Sequence, residues 1–324
     1  MLCACRTEAP PSADASAPID AGLAFTFADA DPSPSAPATA ATSAKPPVDE
    51  SRLAAYAHVV PQRLKSVGHT SVVFRADFGS GLRAAYKPES KRGHRRYRGE
   101  VASYRLAKML GLPNVIPAEV HVFSRESVRA AAASDARALS LVNDEVIDRK
   151  GRVYGSLVPW IDKLEFIAID APAERARWEK ELKSGDEVPA DRRALDAQIS
   201  TLIVFDYLTG NWDRWSGENV AIDRASGILL FVDNDATFFD PIPPLFAPEK
   251  AMLRGVDRFS RALVTRLRAI SALDLADAFG DEEPGSPLLS ARVVAACEAR
   301  RKEIVALVDS KIAQLGEANV LYFP

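Results

Sequence analysis

The chain has 324 residues, 47% of them hydrophobic and 26% charged, a composition typical of a globular protein with a sizeable core. Its 41 basic and 44 acidic residues are interspersed and leave a formal net charge of −3, which disfavours nucleic acid or an anionic membrane as a partner. Its three cysteines and four histidines lack the paired spacings of a zinc site, and apolar runs such as 202–205 fall far short of the roughly 20 residues that span a bilayer.

Residues 1–50 are rich in alanine, proline and serine, and they hold too little apolar surface to offset the entropy of ordering. They predict a flexible tether. The opening letters LCAC fit a bacterial lipoprotein cleavage box, in which Cys5 carries the lipid if a basic and an apolar segment are encoded upstream. This pattern favours a lipid-anchored protein of the cell envelope, and without those upstream segments the protein is predicted to be cytoplasmic.

The pattern of residues 51–160 predicts a small sheet that carries one helix. Two β-type runs, SVVFRADF (71–78) and LRAAYK (82–87), are joined by a glycine-containing turn and predict a hairpin. The segment RGEVASYRLAKML follows, with apolar residues on a helical period and Gly111 as its stop. Further strands are predicted over 115–123, 138–147 and 151–161.

From about residue 161 the pattern predicts mainly helices, over 173–184, 191–209, 258–273 and 290–314. The exception is a hairpin made of NVAID (219–223) and ILLFVD (228–233). A β-rich lobe over 51–160 followed by a helical lobe over 161–324 predicts a bilobal α+β fold with a site in the cleft between the lobes.

Polar residues gather at the mouth of the second hairpin. Asn219 opens its first strand and Asp233 closes its second, so antiparallel pairing brings the two together. Asp213 lies six residues before Asn219, on a loop that leaves a long helix. An amide oxygen and two carboxylates suit a divalent cation and a substrate hydroxyl, as phosphoryl transfer requires.

Phosphoryl transfer also needs a cation on the phosphates. Lys87 ends the first predicted hairpin and Glu100 stands at the start of the next helix, and a lysine paired with a helix glutamate supplies that cation in kinases. Taken alone, Lys87 would be a solvated strand-edge charge and Glu100 a first-turn acid that favours the helix dipole. Their functional interpretation depends on the parts occurring together.

Four motifs carry a resemblance to a known family. They are YKP, GEVASYRLAKMLGLPNVIPAEV, DYLTGNWDR and FVDNDATF, and they fall within about residues 65–240. Together they resemble the atypical secretory-pathway kinases of the Golgi casein kinase type, in a compact bacterial form. The resemblance implies that Lys87 and Glu100 belong to the ATP phosphate site, that Asp213 is catalytic and that Asp233 binds metal.

The sequence also departs from that family. Trp215 stands where the family usually has histidine, and Glu218 fills the place of its acidic residue five positions after the catalytic aspartate. Glu218 and Asn219 therefore compete for the second metal position, and we favour Asn219 because NVAID resembles the Asn-initiated strand of ordinary protein kinases. A glycine-rich phosphate flap of the ordinary kinase form is missing. In its place we predict the segment SVGHTSVVF, in which Gly68, Thr70 and Ser71 approach the phosphates through backbone amides.

These parts predict a kinase that moves the γ-phosphoryl group of ATP, with Mg²⁺ or Mn²⁺, to a hydroxyl of a protein serine or threonine or of a glycan. Two alternatives stay open. A phosphoinositide or HipA-like kinase shares much of the same skeleton, and a pseudokinase would act as a binding module at the cell envelope. The acceptor and the oligomeric state do not follow from the sequence.

Overall fold

The computed structural model describes residues 49–67, 71–217 and 219–324. Strands are concentrated in the N-terminal part of this chain. In chain order its elements are α1 (Ser51–Ala54), β1 (Arg63–Ser66), β2 (Phe74–Asp77), β3 (Arg83–Pro88), α2 (Tyr97–Leu110), β4 (Glu119–Ser124), α3 (Arg125–Ala132), α4 (Ala136–Asp144) and β5 (Arg152–Pro159).

Helices dominate the C-terminal part. Its elements are β6 (Glu165–Phe166), α5 (Pro172–Glu181), α6 (Arg193–Thr209), β7 (Val220–Asp223), β8 (Ile228–Phe231), α7 (Ala247–Gly255), α8 (Arg261–Ala269), α9 (Ala272–Phe279), β9 (Asp281–Glu283), β10 (Ser286–Pro287), α10 (Ala291–Leu315) and α11 (Glu317–Val320). Short 3₁₀ turns cover Arg214–Ser216, Asn234–Ala236 and Pro244–Phe246.

Strands β1 to β5 form one sheet in the order β1-β2-β3-β5-β4, with antiparallel neighbours throughout. Phe74 and Ala76 of β2 are buried while the residues between them are half-buried, so alternate side chains of this strand face the core. In the interior strand β3, Lys87 pairs with Ser156 of β5 and is buried. The interpretation of Lys87 as a solvated edge charge is therefore wrong.

Helix α2 links the two hydrophobic cores. Val101 and Leu106 are buried in the larger core with the C-terminal helices, and Tyr104 packs against both that core and the smaller core under the sheet. The helix ends at Gly111 as predicted, since its φ of 61° is left-handed and the N–H of Leu112 bonds the carbonyl oxygen of Ala107 at 2.8 Å.

The strand predicted over 138–147 is wrong, because this segment forms helix α4. Asp135 caps the helix by accepting a hydrogen bond from the N–H of Ala138 at 2.9 Å. The buried residues Ala138 and Val142 are four apart, which is a helical spacing. The capping aspartate was the sequence signal that distinguishes the two structures.

The helix predicted over 258–273 is two helices, α8 and α9. The backbone leaves the helical conformation at Ile270, and Ser271 begins α9 in a capping box with Asp274. The elements that were not predicted are α1, β1, α3, β6, α7, β9, β10 and α11. The remaining long helices and the β7–β8 hairpin are confirmed to within a few residues.

None of the helices in the described ranges combines the length and the apolar character needed to cross a bilayer. Cys5 and almost all of the tether predicted over 1–50 lie outside the described residues. The residues that are described belong to one compact unit, and the lobe boundary at residue 160 stays a prediction.

Candidate active site

Lys87, at the end of β3, lies among three carboxylates. Its Nζ atom is 2.5 Å from Glu100 Oε2 and 2.6 Å from Asp233 Oδ1. A third carboxylate oxygen, Asp235 Oδ2, is 3.5 Å away. The structure thus brings together the lysine and two acids that the sequence singled out, and it adds Asp235.

Two glycines permit this close packing. A Cβ atom on Gly155 of β5 would lie 2.6 Å from the carbonyl oxygen of Lys87. One on Gly99 of α2 would lie 2.7 Å from Thr237 Oγ1 and 3.1 Å from the carbonyl oxygen of Asp235. Any larger residue would push strand β5 away from strand β3 or helix α2 away from the turn after β8, so glycine at both positions sets the geometry around Lys87.

The charges of this cluster support one another. Burial alone would lower the pKa of Lys87, but Asp233, Glu100 and Asp235 hold the pKa of its ammonium well above the ordinary value. Burial likewise opposes ionisation of Asp233, yet Lys87 holds the pKa of that carboxyl below its usual range. Both groups are therefore charged at neutral pH.

Asp233 has an unusual backbone conformation. Its φ of 55° and ψ of 60° are left-handed, a region that residues other than glycine seldom adopt. The side chain is 44% exposed although one carboxylate oxygen contacts Lys87. Unusual conformations of this kind cluster at functional sites, and here the conformation leaves a carboxylate both anchored and accessible.

Arg96, directly before α2, spans two carboxylates. Its Nη2 atom is 2.5 Å from Asp235 Oδ1 and 3.8 Å from Asp213 Oδ2. Burial raises the pKa of Asp235 to about 6, and the charge of Asp233 adds to this rise. One guanidinium therefore connects the buried Asp235 with the carboxylate that the sequence predicted to be catalytic.

Arg214 fixes the loop after α6. Its side chain is 0% exposed, and it donates to both carboxylate oxygens of Asp206 at 3.2 Å and to the carbonyl oxygen of Asn219 at 2.7 Å. It also donates to the carbonyl oxygen of Val232 and the side chain of Asn234. One buried residue thus ties the loop to both strands of the β7–β8 hairpin and to the turn that follows.

Asp206 and Asn211 brace the predicted catalytic loop. Asn211 Oδ1 accepts the backbone N–H of Asp213 at 3.1 Å, and Asn219 Nδ2 donates to the carbonyl oxygen of Asp213 at 2.7 Å. Burial raises the pKa of Asp206 to about 6, against the opposing effect of Arg214. The Asp213 backbone is held from both sides while its side chain stays 38% exposed.

Other predicted residues have different outcomes. Gly68, Thr70 and Glu218 lie outside the described residues, so the choice between Glu218 and its neighbouring asparagine stays a prediction. Ser71 is half-buried in the segment that joins β1 to β2. Trp215 packs its ring 5.7 Å from that of a core tryptophan.

We call the charged residues around Lys87, Arg96 and Asp213 the cleft. Their charge balance fits a divalent cation. The basic and acidic side chains there are Lys87, Arg96 and Arg214 against Glu100, Asp206, Asp213, Asp233 and Asp235. Over the described ranges, no three histidine, cysteine or acidic side chains form a ready-made metal cage. Mg²⁺ is commonly held by one or two carboxylates together with substrate phosphates, so the accessible Asp233 suits an ion that binds with a nucleotide.

A second charged cluster holds the first turn of α2, which carries Glu100. Buried Glu282 of β9 accepts hydrogen bonds from Arg98 Nε at 3.0 Å and Nη2 at 2.6 Å, from Arg149 Nη1 at 3.0 Å and from the Tyr97 hydroxyl. Burial alone would raise the pKa of Glu282, but these donors lower it. We call Glu282, Arg98, Arg149 and Tyr97 the clasp.

Three residues of these clusters were not predicted from the sequence: Arg96, Asp235 and Glu282. Asp235 does carry a signal, because it is the second acid of the motif FVDNDATF. Arg96 is one of several basic residues in KRGHRRYRGE, where nothing distinguishes it. Glu282 is 184 residues from its partner Arg98, and no local pattern reports such a pair.

The chain matches the family model described as the four-jointed box protein middle domain over residues 86–278. It is 29% identical to four-jointed box protein 1 of Homo sapiens over 187 residues, which cover 50% of this chain and 40% of that protein. It is 27% identical to four-jointed box protein 1 of Xiphophorus maculatus over 218 residues, covering 57% and 48%. The chain thus spans less than half the length of these curated relatives.

Solved structures with a similar fold include the Golgi casein kinase with Mn/ADP bound, with a TM-score of 0.62, 16% identity and coverage of 82% of this chain and 76% of that one. Hydra Fam20 with sugar also has a TM-score of 0.62, with 14% identity and coverage of 83% and 90%. At such identities the likeness concerns the fold, and it confirms the predicted kinase-like α+β architecture. The family model matches more than half of the residues of this chain, so the chain belongs to the family of the four-jointed box protein middle domain.

Proposed function

We propose that this chain is a kinase that transfers the γ-phosphoryl group of ATP, with Mg²⁺ or Mn²⁺, to a hydroxyl of a protein serine or threonine or of a glycan. The observation that carries the proposal is Lys87 Nζ, 2.5 Å from Glu100, 2.6 Å from Asp233 and 3.5 Å from Asp235. A buried cation beside an accessible carboxylate, that of Asp233, suits a metal–nucleotide complex. The Golgi casein kinase with Mn/ADP bound shares the fold and supports this choice of ligands.

In this proposal Lys87 binds ATP phosphates and Glu100 keeps its ammonium in place. Asp233 and Asn219 hold the metal ion, with Glu218 as the competing candidate for the second position. The ion neutralises negative charge on the phosphates. Gly68, Thr70 and Ser71, between β1 and β2, cover the phosphates with backbone amides.

Asp213 acts on the acceptor. The acceptor hydroxyl oxygen forms a bond to the γ-phosphorus while the bond from that phosphorus to the β–γ bridging oxygen breaks, and its electron pair leaves with ADP. The hydroxyl proton passes to the Asp213 carboxylate, which is 38% exposed and can meet an acceptor from solvent. Two hydrogen bonds hold the backbone of Asp213, and with it the carboxylate, in place: its N–H donates to Asn211, and its carbonyl oxygen accepts from Asn219.

We further propose a compact bacterial protein, anchored by lipid at Cys5 to the cell envelope, with lobes over 51–160 and 161–324. The LCAC letters and the composition of residues 1–50 support the anchor. Fractionation that finds the full-length protein only in the soluble cytosol contradicts it and leaves a cytoplasmic kinase.

The test is phosphotransfer by the full chain. Purified protein is incubated with γ-labelled ATP and Mn²⁺ or Mg²⁺, and with casein, glycans and phosphoinositides as acceptors. We expect label on protein or glycan, its loss in Asp213→Ala, and normal transfer by Asp309→Asn, a matched change in an exposed carboxylate of α10. Label on phosphoinositide favours a lipid kinase. Label on nothing, including the protein itself, contradicts the proposal and favours a pseudokinase binding module.

A further inference from the structure

Arg96 differs from Lys87 and Arg214, the other two cations of the cleft, in the exposure of its side chain. Lys87 is buried among three carboxylates, and Arg214 is 0% exposed with its guanidinium donating to protein atoms on several sides. The side chain of Arg96 is 22% exposed. Of these three cations, Arg96 therefore has the most exposed side chain.

The guanidinium of Arg96 also has donor capacity that the described chain does not use. Its Nε atom is buried and has no hydrogen-bond partner among the described residues. The group lies over the ring of Trp212, 5.7 Å from the ring centroid, and its Nη2 contacts Asp235. An unpaired buried donor costs free energy, so it is expected where a partner arrives with a ligand.

Arg96 is held rigidly enough to act as a preorganised donor. The two residues that follow it, Tyr97 and Arg98, are fixed by Glu282 of the clasp. One residue further, Gly99 packs so tightly against Thr237 that a Cβ atom would lie 2.7 Å from its hydroxyl. A donor fixed before the ligand arrives needs no reorganisation during the reaction.

The position of Arg96 relative to Asp213 indicates which ligand atoms it meets. If Asp213 accepts the proton of the acceptor, the acceptor oxygen and the phosphorus that it attacks must lie beside this carboxylate. Arg96 Nη2 is 3.8 Å from Asp213 Oδ2, within reach of the same phosphoryl group. The planar fork of a guanidinium matches two phosphoryl oxygens at once.

We propose that Arg96 binds the phosphoryl group that is transferred and stabilises its charge as the bond to ADP breaks. The assignment rests on the proposed function, because it uses Asp213 as the acceptor-side carboxylate. On this basis Arg96 distinguishes a nucleoside triphosphate from a diphosphate, whereas Lys87 and Asp233 bind both.

The experiment compares the full-length wild-type chain with Arg96→Ala, Arg96→Lys and the matched control Arg92→Ala. Arg92 belongs to the same basic segment but pairs on the surface with Glu145 at 2.8 Å. Calorimetry with Mn²⁺ measures the affinity for ADP and for the non-hydrolysable β,γ-imido analogue of ATP, and turnover is measured separately. Circular dichroism shows which variants are folded.

We expect Arg96→Ala to weaken the triphosphate analogue by about 10-fold or more with ADP affinity changed by less than about 3-fold, because a charge-assisted bidentate contact is lost. Its kcat should fall by about 10³-fold, the size of effect that an arginine on a transferred phosphoryl group has. Arg96→Lys keeps the pair with Asp235 and should stay folded, yet lose at least about 10-fold in kcat for want of the fork. Arg92→Ala should match the wild type.

Each other result has a definite meaning. Equal losses for both nucleotides, or normal kcat and selectivity in Arg96→Lys when Arg96→Ala is unfolded, assign Arg96 to the structure alone and overturn the inference. Turnover by the wild type with no effect in either Arg96 variant overturns the inference and leaves the proposed function standing. If the wild type shows no turnover but prefers the triphosphate, and Arg96→Ala loses this preference, the proposed function is overturned and the binding role of Arg96 stands. Failure of the wild type to bind either nucleotide overturns both.

Discussion

The cleft around Lys87 and the clasp around Glu282 contain the same kinds of side chain in opposite proportions. In the cleft, one ammonium has three carboxylates within 3.5 Å, and one of these, on Asp233, is 44% exposed. In the clasp, one carboxylate with 0% exposure accepts hydrogen bonds from Arg98, Arg149 and Tyr97. The two clusters share a helix turn, since Arg98 and Glu100 are two residues apart.

The difference separates the proposed binding site from a structural cluster. A buried charge is costly unless its partners satisfy it, and the donors around Glu282 do so without any ligand. The cleft has more carboxylates than cations, so a divalent ion improves its balance. An excess of one charge with access to solvent is thus the feature that points to ligand binding.

A third buried cluster shows what happens without that access. Asp196 of α6 is fully buried, neither of its carboxylate oxygens has a hydrogen-bond partner among the described residues, and the nearest guanidinium, of Arg192, is 3.8 Å away. Burial and the neighbouring Glu181 raise the pKa of Asp196 to about 7. A raised pKa of this kind favours the protonated carboxyl in a fully buried site.

The largest effects are expected in the cleft. Asp213→Ala should lower kcat by about 10²-fold or more with nearly unchanged nucleotide affinity, because a general base acts in the chemical step. Asp233→Asn should lose both turnover and metal-dependent binding, while the free energy of unfolding changes by less than about 1 kcal/mol, since functional carboxylates are not optimised for stability. Steady-state kinetics measures the loss of turnover, and urea unfolding measures the change in the free energy of unfolding. Normal turnover in Asp213→Ala contradicts its catalytic assignment.

The clasp should respond in the opposite way. Glu282→Ala leaves two guanidiniums without their shared carboxylate, and we expect a loss of about 3 kcal/mol in the free energy of unfolding. Turnover at a temperature where the variant is folded should also fall, because the first turn of α2 carries Glu100. Urea unfolding followed by circular dichroism measures the first effect. An unchanged midpoint shows that the clasp does not stabilise the fold.

The Asp196 cluster predicts a pH dependence with a defined sign. The pKa of Asp196 is raised from 3.8 to about 7 on folding, so the folded state holds a proton that the unfolded chain has lost, and this contribution disappears as the pH rises through 7. We expect Asp196 alone to add about 1 kcal/mol to the free energy of unfolding between pH 8 and pH 6.

Asp196→Asn is the matched test of that pH dependence. It should make the profile shallower, and the slope that remains belongs to Glu249, whose pKa burial also raises to about 7, and to Asp206 and Asp235, whose pKa burial raises to about 6. Urea unfolding at pH 6, 7 and 8 is the measurement. Wild-type stability that falls toward pH 6, or an equally steep profile in Asp196→Asn, contradicts the assignment.

The smallest effect is expected at an exposed ion pair. Asp309 on α10 pairs with Arg268 on α8, and both side chains are largely solvated. Asp309→Asn should change the free energy of unfolding by less than about 1 kcal/mol, because water screens such pairs. If Asp309→Asn lowered the free energy of unfolding as much as Glu282→Ala does, burial would not explain why the clasp stabilises the fold more than a surface ion pair.

The sequence predicted those parts of the site that sit in local motifs. Lys87, Glu100, Asp213 and Asp233 each stand at the end of an element or in the loop beside one, and the structure places all four in one cleft. The helices and strands with a clear period were predicted too. The catalytic and metal-binding roles of the four residues stay proposals that the kinetics above can test.

The remainder depends on contacts between distant segments. The α4 segment has apolar residues that suit either a strand or a helix, and the cap at Asp135 decides between them. Arg96 and Glu282 act through partners more than a hundred residues away, and no local period reports such pairs. The left-handed backbone of Asp233 follows from its packing after β8.

The central claim is that the negative excess of the cleft binds a metal–nucleotide complex. Calorimetric titration of the full-length chain with ATP, in Mn²⁺ and again in EDTA, tests it most directly. We predict tight binding in Mn²⁺, a loss of at least about 10-fold in EDTA, and no metal dependence in Asp233→Asn. Equal affinity for ATP with and without the ion would contradict the account.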